Sequence, residues 1–242
     1  MVESKYKRVV LKLSGESFCK PGAFGIDSSE LESIAKRIAE VCKLGPQMVV
    51  VVGAGNFIRG ETFSKISHIP RNTADYMGML TTIVNACALQ ETLEKLGQPT
   101  RVLSAIEVAA MCEPFIRRRA LHHLERQRVA ILAGGTGNPY FTTDTCAALR
   151  AAELDAELLI KATKVDGVYS DDPQSNPQAK MFEQLSYDDV IKQDLKVIDH
   201  AAIDLCKNSH IPIIVLNIFE TGNITKAIYG EKIGTKITKN QE

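Results

Sequence analysis

Short runs of β-branched and aliphatic residues alternate along the chain with longer stretches whose apolar positions recur at helical spacing. Arg8-Val9-Val10-Leu11-Lys12-Leu13 reads as a strand that stops at Ser14-Gly15. Leu31, Ile34, Ala35, Ile38 and Cys42 then fall on one face at the 3.6-residue period of a helix. Asp27 followed by Glu30 resembles a capping box with Asp in place of Ser or Thr, and Gly45-Pro46 closes the helix. Met48 to Val52 is continuously apolar, as suits a strand covered on both faces. The rhythm repeats with a long helix near Asp75 to Leu96 and a strand at Arg101 to Ser104. Further strands are expected at Val129–Leu132, Leu158–Lys161 and Ile211–Leu216. Helices are expected after Thr143, around Ser186 to Gln193 and from Asp199 to Asn208. Such alternation predicts an α/β chain: a three-layer αβα sandwich around a mainly parallel central sheet. With no repeat and no low-complexity linker, residues 1–242 read as one domain. Ser170 to Pro177 is the one obvious long loop, either functional or a plain connection.

Composition narrows the class. Across 242 residues, 29 Lys plus Arg balance 29 Asp plus Glu, so the formal charge is zero. That argues against a partner such as a nucleic-acid polymer, which leaves a basic footprint, but not against a local anion site. The stretches free of charged residues, such as Tyr76–Gln90, are too short to cross a membrane. The N-terminus lacks the apolar core of a signal peptide, which points to the cytoplasm. Six scattered cysteines form no Cys-x-x-Cys pair and read as buried, reduced thiols. His122 and His123 lack helical metal-ligand spacing, so no protein-held metal is expected. Asn223-Ile224-Thr225 matches a glycosylation sequon that a cytosolic protein would not present.

The informative chemistry lies in three small-residue turns at strand ends: Lys12-Leu13-Ser14-Gly15-Glu16, Gly53-Ala54-Gly55-Asn56-Phe57-Ile58-Arg59-Gly60, and Gly134-Gly135-Thr136-Gly137-Asn138-Pro139. In parallel sheets, ligands collect where strand ends meet helix N-termini. Glycines let backbone N–H groups approach an anion, and a helix start adds ~0.3–1 kcal/mol of favourable field. One such turn is usually only a tight turn; three at successive strand ends point to phosphate. Two familiar phosphate signatures are absent. A dinucleotide fingerprint starting at Gly53 would need glycine where Ile58 stands, and no Gly-Lys-Ser or Gly-Lys-Thr occurs.

These turns, with Asp75-Tyr-Met-Gly-Met79, Thr136 to Asp144 and Lys161-Ala-Thr-Lys-Val-Asp-Gly-Val-Tyr-Ser-Asp-Asp-Pro173, resemble those of the amino-acid kinase superfamily, and specifically its bacterial UMP kinases. The resemblance runs from about Tyr6 to Ile237 and keeps the five segments in order. It implies the amino-acid kinase fold and transfer of the terminal phosphoryl group of ATP, with Mg²⁺, to UMP in pyrimidine nucleotide biosynthesis. It also implies a homohexamer with UTP and GTP as effectors. Other readings are a superfamily kinase acting on a carboxylate, against which Asp75 and the Thr136–Thr143 segment argue, and a nucleotide-binding regulator without catalysis.

By the same resemblance, Lys12 pairs with the transferred phosphoryl group, and Leu13, Ser14 and Gly15 line ATP. Ala54 faces UMP where many members have glycine; Gly55 and Arg59 face ATP, Arg59 as a bidentate fork. Asp75 bonds a ribose hydroxyl of UMP, unless it only caps its helix. Thr136, Gly137, Asn138, Pro139, Tyr140, Phe141, Thr142 and Thr143 wrap UMP. Asp144 orients the catalytic lysines, and Asp199 organises the site or Mg²⁺, or else caps a helix. Thr163, Tyr169 and Asp172 match ATP positions, and either Lys161 or Lys164 adds a second cation. Lys20, Pro21, Gly22, Ala23, Phe24 and Gly25 lie where relatives meet the GTP activator; a surface connection explains them equally. Met77, Met79, Leu80, Ile83, Val84 and Leu89 make the long helix apolar on much of its surface, for core and for a subunit interface.

Overall fold

Strand β1 (Arg8–Leu13) runs through the middle of a sheet, parallel to β2 (Gln47–Val52) on one side and to β6 (Leu158–Thr163) on the other. The computed structural model describes residues 4–58, 65, 68–173, 175–176, 178–195 and 197–239. Beyond β2 come β5 (Val129–Ala133), β3 (Thr100–Ser104) and the two-residue β4 (Glu113–Pro114). Beyond β6 come β10 (Ile213–Asn217), β11 (Thr235–Thr238) and β9 (Gln184–Ser186). Among the described residues every neighbouring pair in this sheet is parallel except β10 with β11. A separate hairpin joins β7 (Val168–Tyr169) to β8 (Met181–Phe182), and the loop predicted from Ser170 is its connection.

Helices cover both faces. On one side α1 (Ser28–Cys42), α2 (Arg71–Lys95) and α7 (Asn223–Tyr229) pack Ile34, Ile38, Leu89, Leu93 and Ile228 onto Val9, Leu11, Leu13, Val50 and Ile160. On the other side lie α3 (Arg117–Glu125), α4 (Thr143–Glu153), α5 (Tyr187–Lys192) and α6 (His200–Asn208). They pack Leu124, Ala147, Ala151, Val190 and Ile203 onto Val10, Val49, Val51 and Leu159. Burial on both faces is why the apolar runs of β2, β5 and β10 carry no polar alternation.

Local signals mostly land where the pattern places them. Asp27 caps α1 by accepting from the Ser29 and Glu30 N–H groups, and Ser186 caps α5 in a full capping box with Asp189. Three expectations need correction. Helix α2 starts at Arg71, with Pro70 at the cap, so Asp75 lies a full turn inside it and is no cap. Its polar first turn hides the helical period from the sequence. Strand β10 starts at Ile213, because the Ile211 N–H is committed to the Cys206 carbonyl and Pro212 has none to give. Cys19, Cys146 and Cys206 are buried, whereas Cys42, Cys87 and Cys112 are only partly so. Burial pushes the Cys42 and Cys206 thiols up to about 12 and Cys146 to about 11. Asn223, in the first turn of α7, is buried and donates to the Asn217 carbonyl, so the sequon is sterically closed.

Candidate active site

Alternation along β1 sends Val9, Leu11 and Leu13 to one core and Val10 to the other, so Lys12 faces the α4 layer. The same alternation in β6 puts Lys161 on that face, following Leu159. The β1–β6 register pairs Lys12 directly with Lys161. Two ammonium groups side by side on adjacent strands repel each other and need a counter-charge.

Asp144 supplies it. The segment after β5 ends at Thr142, whose hydroxyl accepts from the Asp144 and Thr145 N–H groups and starts α4. That cap fixes Asp144 beneath both lysines. Lys161 Nζ donates to Asp144 Oδ2 and also to the Val197 carbonyl. Lys12 Nζ stands 2.7 Å from Asp144 Oδ1, so the two carboxylate oxygens are shared between the two ammonium groups. Burial by itself would push the Asp144 carboxyl up, but Lys12 and Lys161 outweigh it and hold the group below its ordinary value. Burial also depresses the Lys161 ammonium, with Asp144 opposing only in part. Asp199 sits at the cap position of α6 but makes no cap bond there; it accepts instead from the Thr142 and Thr145 hydroxyls. It thus ties the α4 N-terminus to α6. Lys164 is displaced from this cluster and stands 3.8 Å from Glu16.

The first two glycine turns lie against each other. A Cβ on Gly15 would come 2.3 Å from the Gly55 nitrogen and 2.7 Å from the Ala54 carbonyl carbon, so only glycine fits. A buried amide pair fixes the second turn. Asn85, fully enclosed in α2, donates to the Gly53 carbonyl and to Asn56 Oδ1, each at 2.8 Å. Asn56 in turn donates to Asn85 Oδ1 and to the Gly25 carbonyl. Asn85→Leu leaves Asn56 and Gly53 short of partners in a dry site. It is expected to cost about 1–3 kcal/mol, read as a lowered urea midpoint with an unchanged slope.

The third segment is tied to α2. Asp75 accepts from Arg71 on one side and from the Tyr140 N–H at 2.8 Å on the other. Tyr140 takes a left-handed backbone (φ 71), with the Arg71 guanidinium 5.7 Å from its ring centroid.

Together these parts enclose a cleft of about 640 Å³. Of the expected residues, Lys12, Ser14, Gly15, Ala54, Gly55, Asp75, Phe141, Thr142, Thr143, Asp144 and Asp199 line it. Arg71, Thr82 and Lys161 also line it, and sequence reasoning missed the first two. Thr136, Gly137, Asn138, Pro139 and Tyr140 form the turn leading to this wall and are not among its lining. Thr136 Oγ1 closes that turn on the Asn138 backbone. Leu13 is a correction: its side chain is fully buried and its carbonyl accepts from the Gly53 N–H, so it supports the turn from the core. Thr163, Tyr169 and Asp172 do not line the cleft. Thr163 Oγ1 lies 2.6 Å from the Val165 carbonyl, Tyr169 belongs to the β7–β8 hairpin, and Asp172 accepts from the Ser175 and Asn176 N–H groups. Arg59 lies outside the described residues. The segment from Lys20 to Gly25 is bound to the second glycine turn, Gly25 donating to the Asn56 carbonyl. Phe24 is 77% exposed and edge-on to Phe57.

Residues 7–217 match the family described as the amino acid kinase family. The chloroplastic uridylate kinase PUMPKIN of Arabidopsis thaliana is 50% identical over 233 residues, 96% of this chain and 69% of that protein. The solved UMP kinase of Bacillus anthracis superposes with a TM-score of 0.94 at 37% identity, covering 98% of this chain and 97% of that one. For the UMP kinase of Ureaplasma parvum the TM-score is 0.90 at 34% identity, covering 97% of this chain and 100% of that one.

Proposed function

This chain belongs to the amino acid kinase family, and we propose that within it the reaction is that of a UMP kinase, moving the terminal phosphoryl group of MgATP to UMP to give UDP and ADP. The observation that carries this reading is the Lys12–Asp144–Lys161 cluster under a cleft walled by two apposed glycine turns. The acceptor is a phosphate, already anionic at neutral pH, so no general base is needed. What remains is to bring two polyanions together and stabilise charge spread over the moving group. Lys12 meets the transferred group, Asp144 holds the lysines in place, and the backbone donors around Ser14-Gly15 and Ala54-Gly55 receive phosphate oxygens. Arg59 joins them as a second fork for the phosphates. Asp75 binds the ribose, at the expense of its present bond with Arg71 or Tyr140. Thr136 to Thr143 wrap UMP, and Thr163, Tyr169 and Asp172 take ATP from the β6 side.

Mg²⁺ enters with ATP as part of the substrate. No cluster of three or more His, Cys, Asp or Glu suited to a metal occurs among the described residues, and Asp144 is engaged by two lysines. An ion of this kind keeps most of its water and rides on the phosphates. The one sheet shared by both cores supports reading the chain as a single domain. Tyr76, Leu80 and Val84 leave an exposed apolar stripe on α2 at helical spacing, which supports the homohexamer. The bonds from Gly25 to Asn56 support the Lys20–Gly25 segment as a route by which an effector such as GTP reaches the glycine turn; UTP acts as a competing pyrimidine ligand. No described helix is long and apolar enough to cross a membrane, and a cytoplasmic location belongs to this proposal.

A coupled ADP-release assay across UMP, CMP, AMP, acetylglutamate and aspartate tests the reading. UMP is expected to give the highest kcat/KM by at least about tenfold. A preference for CMP or for a carboxylate acceptor would refute it.

A further inference from the structure

We propose that Arg71 is a positioning residue that aims Asp75 at the ribose of the acceptor. UMP displaces the Tyr140 bond to Asp75 and leaves the Arg71 bond in place. The inference rests on the UMP kinase reading above and names the fixed half of its ribose site.

Arg71 and Asp75 stand at i and i+4 at the start of α2, on one face of the helix and on the wall of the cleft. Arg71 Nε lies 2.8 Å from Asp75 Oδ1 and 2.9 Å from Oδ2, so a single N–H is shared between both oxygens. The Tyr140 N–H takes a further place on Oδ2 at 2.8 Å. A carboxylate offers about four acceptor positions, and these contacts fill three of them. A ribose diol brings two hydroxyl donors, more than the remaining position can take. One present bond therefore has to yield when the ribose docks.

The two bonds differ in what it takes to break them. Arg71 is a cation whose tie to Asp75 is charge-assisted and held within one helix. Withdrawing it would strip the nearest cation from a carboxylate on the wall that receives a phosphorylated acceptor, where like charges repel. Tyr140 contributes a neutral N–H from a turn, and it does so in a left-handed backbone (φ 71) that a residue with a Cβ disfavours. Releasing the Tyr140 bond lets that residue relax. Its ring, 68% exposed and 5.7 Å from the Arg71 guanidinium, is a second tie of the turn to α2 that does not use Asp75. Arg71 thus keeps the carboxylate oriented while Tyr140 gives its place to a ribose hydroxyl.

Steady-state kinetics with UMP and 2′-deoxy-UMP test this, because the two acceptors differ only in a hydroxyl within reach of Asp75. Wild type is expected to prefer UMP by about a hundredfold or more in kcat/KM, as a site built to bond a hydroxyl does. In Arg71→Met, which removes the guanidinium and keeps an unbranched stem, that preference should narrow by about tenfold. The loss should sit in KM for UMP, with kcat and KM for ATP within about threefold of wild type. An unchanged preference in the Met variant would overturn the proposal, whether activity is full or uniformly reduced. A phosphate ligand or a merely structural residue serves both acceptors alike. A wild-type protein that uses both acceptors equally well would overturn it too. If the Met variant does not fold, a crystal structure of the wild-type protein with UMP decides. Arg71 Nε should remain within hydrogen-bond distance of Asp75 with the Tyr140 N–H withdrawn, and the reverse would overturn the proposal. Absence of turnover with either acceptor in the wild-type protein is a different result: it sinks the acceptor reading, and this proposal with it.

Discussion

Lys12→Ala lowers kcat for UDP formation by roughly a thousandfold or more, the loss that follows removal of a preorganised charge from a transition state. The chain still folds. Lys12 stands at the end of β1 with its ammonium at the edge of the cleft, and the β1 core is made by Val9, Val10, Leu11 and Leu13, all fully buried. Truncation therefore removes a cation and little packing. Asp144 keeps Lys161 as its partner, so no buried charge is left alone. Stopped assays at saturating UMP and ATP should find the deficit in kcat, with a cooperative thermal transition close to wild type. Near-normal turnover in this variant would remove the central cation from the mechanism and the assignment with it.

Asp144→Asn has the opposite balance, striking stability as well as activity. Two lysines lie opposite each other on β1 and β6, and the buried carboxylate between them is the counter-charge to both. The amide offers no charge and turns either an oxygen or an NH₂ toward each ammonium. Breaking a buried ion pair from one side costs about 3–5 kcal/mol, which for a chain of this size lowers Tm by about 10 °C. The pH dependence is specific. Asp144 has a folded pKa below its unfolded value because the lysines outweigh burial. The unfolded state therefore binds more protons in acid. The stabilisation is fully present above the unfolded value of about 3.9 and is lost as pH falls through the folded one. The gap between wild type and variant should therefore close in strong acid. Lys161 is a base whose folded pKa is depressed, so folding gains as pH rises from that value toward about 10.5. Without Asp144 that depression deepens, and the variant should regain stability on the alkaline side. Urea unfolding at a series of pH values checks both limbs; a gap that is constant with pH would show that Asp144 acts by packing and not by charge.

Several elements are legible from local pattern because each buries its apolar positions at a fixed period. The run Arg8–Leu13 and the spacing Leu31, Ile34, Ala35, Ile38 are of this kind, and both elements form where expected. Helix α3 escapes notice because three arginines and two histidines crowd it, leaving only Ala120, His123 and Leu124 inside. Helix α7 is a single short stretch held between Gly222 and Gly230, both left-handed, with too few residues for a period to emerge. Arg71 is hidden by the polar first turn of α2. Asn85 carries a weak signal, a polar amide in the middle of an apolar helical face, and its meaning appears only when Gly53 and Asn56 arrive beside it.

The sequence by itself determined the layered α/β class and the small-residue turns at strand ends, because side-chain period and backbone sterics are local properties. It also singled out Lys12 and Asp144 through their resemblance to known motifs. Only the tertiary structure decided that Lys161, and not Lys164, shares the carboxylate with Lys12. It likewise decided that Asp199 serves the α4 N-terminus and that Leu13 belongs to the core. Those outcomes depend on which strands become neighbours and in what register. Parallel strands joined by long crossovers are paired by the burial of whole layers, and no window along the chain contains that information.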